Sequence, residues 1–266
     1  MTALTDEADS CWNRLRAATP ARIGLTRSGS SIATRELLAF RLAHAEARDA
    51  VGESLDSESI LRGVAERNLQ ALTLHSAASD RCTYLARPDL GRSLEENSRI
   101  RLRAIARKYD LVFILADGLS ARAVHRHALP LLDQALPQLN RHQWHVGPVI
   151  VVHQGRVAIG DEIGQELEAA LVAVLIGERP GLTSPDSLGI YLTWNPVIGR
   201  TDAERNCLSN IRPEGLTYPE AAQRLLHLCA EARRRQCTGI TLKDETALIE
   251  STLQAISRPS YTHRSQ

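Results

Sequence analysis

The chain has 266 residues, with 32 Lys plus Arg against 31 Asp plus Glu and a formal net charge of +1. That balance leaves no global field to attract nucleic acid or an anionic membrane, and 4% aromatic residues are too few for a base-stacking platform. A 43% hydrophobic share beside 24% charged residues excludes wholesale disorder and points to a globular core made mostly of Leu, Ile, Val and Ala. The length suits one large domain, or a domain with a sizeable appendage. Cys11, Cys82, Cys207, Cys229 and Cys237 are odd in number, widely spread and without a C-x-x-C pair, so a reducing compartment is expected. No signal-peptide core stands near the N-terminus. The longest apolar run, Leu171 to Ile176 behind Ala169 and Ala170, falls far short of the ~20 residues of a membrane span. The expectation is a soluble, cytoplasmic protein.

Residues 1 to about 105 read as helical and charge-rich. Leu4 to Arg16 is a short helix, followed by a turn over Gly24 to Ser31. Thr34 reads as the cap of a helix in which Leu37, Leu38, Arg41, Leu42, Ala45 and Asp49 make a stripe at helical spacing, ended by Gly52. Ser57 to Leu74 reads as a further helix, Cys82 to Arg92 as a loop and Ser93 to Arg107 as another charged helix. Then the pattern changes. Leu111 to Ala116 is a continuous apolar run, as in a strand buried on both faces. Ser120 caps the next helix, whose Pro130 and Pro137 imply a kink or break. Val149 to His153, Leu171 to Ile176 and Gly189 to Thr193 read as strands, Gly164 to Ala170 and Pro219 to Arg235 as helices. This alternation predicts a βαβαβ unit in a Rossmann-like, doubly wound sheet. The expected division is a helical part over 1–107, a Rossmann-like domain over 108–244 and a peripheral segment and tail over 245–266.

In such a sheet ligands bind beyond the C-terminal strand ends. Three glycine-bearing loops qualify: Asp117–Ser120, Gln154–Val157 and Gly177–Gly181. Arg200 to Gly215, charged and without apolar periodicity, reads as an ordered functional loop. No G-x-G-x-x-G, Walker A or G-x-S-x-G is present, which disfavours a dinucleotide site, a P-loop or a hydrolase elbow. His125 with His127, and His142 with His145, lack a further ligand at metal spacing and read as a solvated helix face and a loop. Cys207 is ambiguous from its surroundings, and a small buried apolar residue is the plain reading. Glu178, directly after a buried strand, is neutralised by Arg179 or is an acceptor for ligand N–H groups. From the residues alone the reading is an α/β ligand-binding module without a catalytic set.

At these same loops the blocks GRVAIGDEIG (155–164), VLIGERPGL (174–182), SPDSLGIYLTW (184–194) and GRTDAERNCLSNIRPEGLTY (199–218) resemble the small subunit of ethanolamine ammonia-lyase. ADGLSA, YLARPDLGR and TRELLAFRLAHAEARDAV extend the resemblance upstream, so that it covers about residues 21 to 244. Ala33 stands where proline is expected and Thr26 where glycine is common. The resemblance implies an adenosylcobalamin-dependent lyase that turns ethanolamine into acetaldehyde and ammonia by radical chemistry. It also implies a large-subunit partner that holds the substrate, while this chain closes the other side of the corrin. By motif, Val157 would pack against cobalamin, Glu178 would accept hydrogen bonds from its amide or nucleotide groups, and Cys207 would make a close contact without ligating cobalt. No catalytic residue and no protein ligand to metal are implied in this chain. Asp117, Arg156 and Gly177 are further candidates from their strand-end positions. The competing reading is a stand-alone Rossmann-like enzyme for a nucleotide or phosphorylated substrate. Cytoplasm is the expected address, with a bacterial microcompartment as the alternative.

Overall fold

Three strands with apolar side chains on both faces organise the molecule, and each face is covered by its own set of helices. The computed structural model describes residues 11–105 and 108–243. A small hairpin pairs β1 (Arg27–Ser28) with β2 (Ser31–Ile32). The main sheet comprises β3 (Ala71–His75), β4 (Leu111–Ala116), β5 (Val149–His153), β6 (Leu171–Gly177), β7 (Leu188–Trp194) and β8 (Arg205–Ile211). Their order is β3-β5-β4-β6-β7-β8. β3, β5, β4 and β6 run parallel, and β7 and β8 are antiparallel additions. The fold is α/β with a mixed sheet. The turn to antiparallel follows from the link between β6 and β7, which contains Pro180 and Pro185 and no helix that could carry a parallel crossover.

The helices are α1 (Thr34–Gly52), α2 (Ser57–Ala65), α3 (Arg81–Ala86), α4 (Glu96–Arg103), α5 (Ala121–Arg141), α6 (Ile159–Glu166) and α7 (Tyr218–Arg235). Strand side chains alternate between the two faces. Leu111, Phe113 and Leu115, with Leu171, Ala173 and Leu175, meet α2, α5 and α7 through Ile60, Val64, Leu131, Leu132, Leu225 and Leu228. Val112, Ile114 and Ala116, with Val172, Val174 and Ile176, meet α4 and α6 through Leu102, Ile159 and Ile163. This two-sided burial is why β4 and β6 read as unbroken apolar runs.

Several expectations are corrected. The stretch read as helix through Leu74 divides into α2 and the edge strand β3, with Asn68 taking a left-handed φ of 55° between them. The supposed functional loop at 200–215 contains β8, whose polar side chains belong to a sheet edge. The segment 82–92 includes most of α3, capped by the Asp80 carboxylate on the Thr83 N–H. Helix α1 is entered from Ala33, so Thr34 is its first residue and not a side-chain cap. α6 starts at Ile159, ahead of the expected Gly164. Helix α5 runs unbroken through both prolines, with Ser120 accepting from the Ala123 N–H. The carbonyls freed by Pro130 and Pro137 are those of Arg126 and Asp133, whose side chains face outward, where water can meet them. The expected helix over Leu4 to Arg16 lies partly outside the described residues; 11–17 are helical. The expected tail at 245–266 lies wholly outside them.

Two devices fix the far edge of the sheet. Arg205 of β8 and Asp161 of α6 form a buried two-pronged ion pair, both contacts 2.7 Å. The chain beyond α7 then clasps β8 through side chains. Asn206 Oδ1 accepts the Gly239 N–H at 2.9 Å and Nδ2 donates to the Leu242 carbonyl at 2.6 Å. Thr238 Oγ1 donates to the Glu204 carbonyl and accepts the Trp194 N–H.

His127, expected on a solvated face, is only 4% exposed. Its Nδ1 lies 2.8 Å from the Tyr218 hydroxyl, and Nε2 is 3.6 Å from Asp186, which Arg126 already holds at 2.6 Å. Burial pushes the imidazole below its ordinary range against the pull of Asp186. The folded state therefore favours neutral His127. Its stabilising share is complete above the unfolded pKa of about 6.5 and is lost progressively as pH falls below that value and through the lower folded-state pKa. The thermal midpoint should drop between pH 7.5 and 5.5, and His127→Gln should shrink that drop. An equal drop in both proteins, followed by circular dichroism, would assign the acid sensitivity elsewhere.

Candidate functional site

The C-terminal ends of β4, β5 and β6 converge on one buried carboxylate and one backbone crossing. Asp117, just past β4, accepts the N–H groups of Gln154 at 2.9 Å and Gly155 at 3.0 Å. Its carboxyl is buried, and that burial pushes it upward in pKa against the opposing pull of those donors and of Arg81, 3.7 Å away. Arg81 also donates to the carbonyls of Val51 at 2.7 Å and Gly118 at 2.8 Å. Beside it the loop after β4 crosses the end of β6. The Leu119 N–H reaches the Gly177 carbonyl at 2.9 Å. Gly118 has φ +56°, and a Cβ there would stand 2.4 Å from the Gly177 carbonyl oxygen. A Cβ on Gly177 would stand 2.0 Å from the Ser120 carbonyl oxygen. Only glycine permits this approach at either position.

The crossing lines the smaller of two cavities that share a wall and are together termed the trough. The smaller, ≈400 Å³, is lined by Tyr84, Gly118, Val157, Gly177, Glu178 and others. The larger, ≈760 Å³, runs past Arg92, Ser93, Asp161 and Thr201. Arg156, Val157 and Tyr191 line both.

The structure brings Val157 and Glu178 to the same cavity. Val157 is half-buried between the two spaces. Glu178 is engaged by its own chain: its carboxylate accepts from Ser187 Oγ and Ser209 Oγ, both at 2.6 Å, and from the Asn210 N–H at 3.2 Å. Among the described residues Arg179 makes no ion pair with it, so the expected neutralisation by Arg179 is not what holds this carboxylate; hydroxyl and backbone donors do. Cys207 lines neither cavity. It lies opposite Tyr191 across the β7–β8 pair. Cys207 is exposed and not the small buried residue expected; desolvation by its neighbours still pushes the thiol up, and the Tyr191 hydroxyl to about 12. A thiol held protonated is a soft contact and a poor nucleophile.

Tyr84, Tyr191 and Arg81 were missed as site residues. Tyr191 was legible as the half-buried member of the alternation Ile190-Tyr191-Leu192. Arg81 and Tyr84 both sit in α3: Arg81 just before the stretch read as a loop, Tyr84 inside it at the head of the YLARPDLGR block, and no spacing pattern marks either as a site residue.

The family model described as ethanolamine ammonia-lyase light chain (EutC) matches residues 9–243. The ethanolamine ammonia-lyase small subunit of Pseudomonas fluorescens (strain Pf0-1) is 56% identical over 238 residues, covering 88% of this chain and 87% of the relative. That of Pseudomonas paraeruginosa (strain DSM 24068 / PA7) is 55% identical over 242 residues, covering 90% and 89%. That of Azotobacter vinelandii (strain DJ / ATCC BAA-1303) is 51% identical over 249 residues, covering 92% of each.

Asp117→Asn retains the shape but replaces one acceptor oxygen with a donor facing a backbone N–H. Leaving a buried donor unmet costs about 1–3 kcal/mol. Urea unfolding of the variant should show a loss of that size; an unchanged midpoint would mean that the Gln154–Gly155 loop is held by other contacts.

Proposed function

Because the chain belongs to the ethanolamine ammonia-lyase light-chain family, and so is a subunit of a carbon–nitrogen lyase, we propose that its trough binds adenosylcobalamin and closes the active site of a large subunit. The substrate is then ethanolamine and the products acetaldehyde and ammonia. The observation that carries this reading is the convergence of Arg156-Val157 and Gly177-Glu178 on the smaller cavity at the C-terminal strand ends, with Arg156 and Val157 shared with the larger one. For that reason we read the parallel half of the sheet as Rossmann-like. The division at about residue 107 is proposed as one of role, since β3 from the N-terminal part pairs with β5.

The residues present suit such a cofactor. Cobalamin is large, fringed with amides and partly apolar, and the trough offers Val157 and Tyr191 as apolar surface beside Arg156 and Glu178 as polar groups. Among the described residues no histidine lines either cavity. When bound, adenosylcobalamin supplies the radical chemistry of the reaction. The chain's own residues bind, orient and shield. Val157 packs against the ring system. Glu178, fixed by Ser187, Ser209 and Asn210, keeps lone pairs for an amide N–H. Cys207, exposed on β8 opposite Tyr191 and outside both cavities, makes its close sulfur contact at the margin of the trough. The Gly118–Gly177 crossing lets backbone approach where a side chain would intrude. No residue of this chain is given the reacting hydrogen to move, and the subunit by itself is inactive in this reading.

The large subunit needs a surface, and α1 offers one. Leu38 and Leu42 are 58% and 62% exposed, with Leu37 and Phe40 also in contact with solvent. An exposed apolar stripe of this kind marks a docking face. The assembly is placed in the cytoplasm or a bacterial microcompartment. A stand-alone nucleotide enzyme is the weaker reading, since the relatives are subunits by name.

Acetaldehyde formation from ethanolamine and adenosylcobalamin should appear only when both subunits are mixed. Activity of the large subunit alone, equal to that of the mixture, would remove this chain from the active site. Leu38→Asp with Leu42→Asp should abolish co-purification with the large subunit while leaving the thermal midpoint of this chain within a few degrees. Undiminished co-purification would move the interface off α1.

A further inference from the structure

Arg156 is held rigidly yet left without a counter-ion. Its N–H donates to the Gly91 carbonyl at 2.7 Å. Its stem passes over Gly91, where a Cβ would stand 2.7 Å from Arg156 Cγ and 3.1 Å from the Tyr84 ring. The guanidinium carbon sits 4.3 Å from the centre of that ring, and Nη2 donates to the Tyr84 carbonyl at 3.1 Å. Tyr84 is itself clamped, with Arg81 on its ring at 4.8 Å and its hydroxyl donating to the Gly155 carbonyl at 3.3 Å. Within this frame Arg156 Nε is buried and meets no acceptor. Among the described residues no carboxylate pairs with the guanidinium.

The carboxylates around the trough are engaged elsewhere. Asp161 is bound to Arg205, and Glu162 to Arg99 at 2.6 Å and to the Leu94 N–H at 2.8 Å. Glu178 is bound to Ser187, Ser209 and Asn210. Asp202 lies 3.6 Å from Arg205. A fixed, unneutralised guanidinium at the junction of two cavities is the chemistry of an anion reader, with a planar fork suited to phosphate or carboxylate oxygens.

We propose that Arg156 reads a phosphate ester, and that this is the phosphodiester in the nucleotide tail of the corrinoid. This inference rests on the reading that the trough takes a corrinoid. The side chains of the cobalamin ring are amides, so the phosphodiester is the anionic group that the cofactor can bring to Arg156. A free inorganic phosphate shares that chemistry and is separated from it by the test.

Dissociation constants are measured by equilibrium dialysis on the assembled two-subunit protein, in wild type, Arg156→Gln and Arg156→Lys. The probes are hydroxocobalamin, cobinamide phosphate, cobinamide and inorganic phosphate. Arg156→Gln should weaken hydroxocobalamin and cobinamide phosphate about ten- to a hundredfold, while cobinamide, which lacks the phosphate, changes less than twofold. Arg156→Lys keeps charge and stem but loses the fork, and should fall between. It carries the comparison if the glutamine variant does not fold. Equal weakening of cobinamide would overturn the inference and leave the corrinoid reading standing. So would inorganic phosphate that binds through Arg156 without competing with hydroxocobalamin. Failure of the wild-type assembly to bind any corrinoid would instead overturn the reading beneath it.

Discussion

A carboxylate shut away from water must find its donors within the chain, and at Asp117 that requirement draws three strand ends together. Its oxygens hold the Gln154–Gly155 backbone after β5, and its charge faces Arg81, which reaches back to Val51 and across to Gly118. Gly118 in turn lies against Gly177 at the end of β6. Moving any one of these segments strands a buried polar group elsewhere, so the loops behave as a unit. The cavities that open from them are therefore set by the fold and not left to loop motion. Val157 and Arg156 follow directly from Gly155, and Glu178 directly from Gly177.

The mixed sheet matters to the same site. Had the chain after β6 returned through a helix, the positions beside Glu178 would have been occupied by another parallel strand. The antiparallel return places Ser187 at the head of β7, and Ser209 and Asn210 in β8, against the Glu178 carboxylate. The same return sets Tyr191 opposite Cys207 and on the wall shared by both cavities. Residues far apart in sequence thus meet because β7 and β8 run the way they do.

Most of the central sheet was legible in the sequence because burial on both faces leaves no polar position in β4 and β6. Helix α7 was legible because its Ala222, Leu225 and Cys229 recur at helical spacing. β3 was hidden: Leu69, Leu72 and Leu74 follow Ile60, Leu61 and Val64 of α2 closely enough to pass for more helix, and only Asn68 hints at a stop. β8 was hidden because an edge strand with one open side needs little apolar residue, and Arg205 is buried there by its ion pair and not by hydrophobicity. The strand-end loops could be named as the site from topology alone. Their wiring could not, since the partners of Glu178, Asp117 and Arg156 lie on elements whose neighbours are decided only by folding. The family blocks marked Val157, Glu178 and Cys207, but no spacing rule would have singled out Tyr84 or Arg81.

The clasp between Asn206 and the stretch from Thr238 to Leu242 has a meaning for the life of the chain before assembly. β8 is the open margin of the sheet, and an open margin is a template on which another polypeptide can lay a strand. Here the margin is guarded by side-chain and loop hydrogen bonds contributed by the last part of the described chain. During synthesis that guard emerges after the strand it protects. The interval between the two is the period in which a nascent subunit is most open to mispairing with its siblings, and the shortness of the α7 connection limits it.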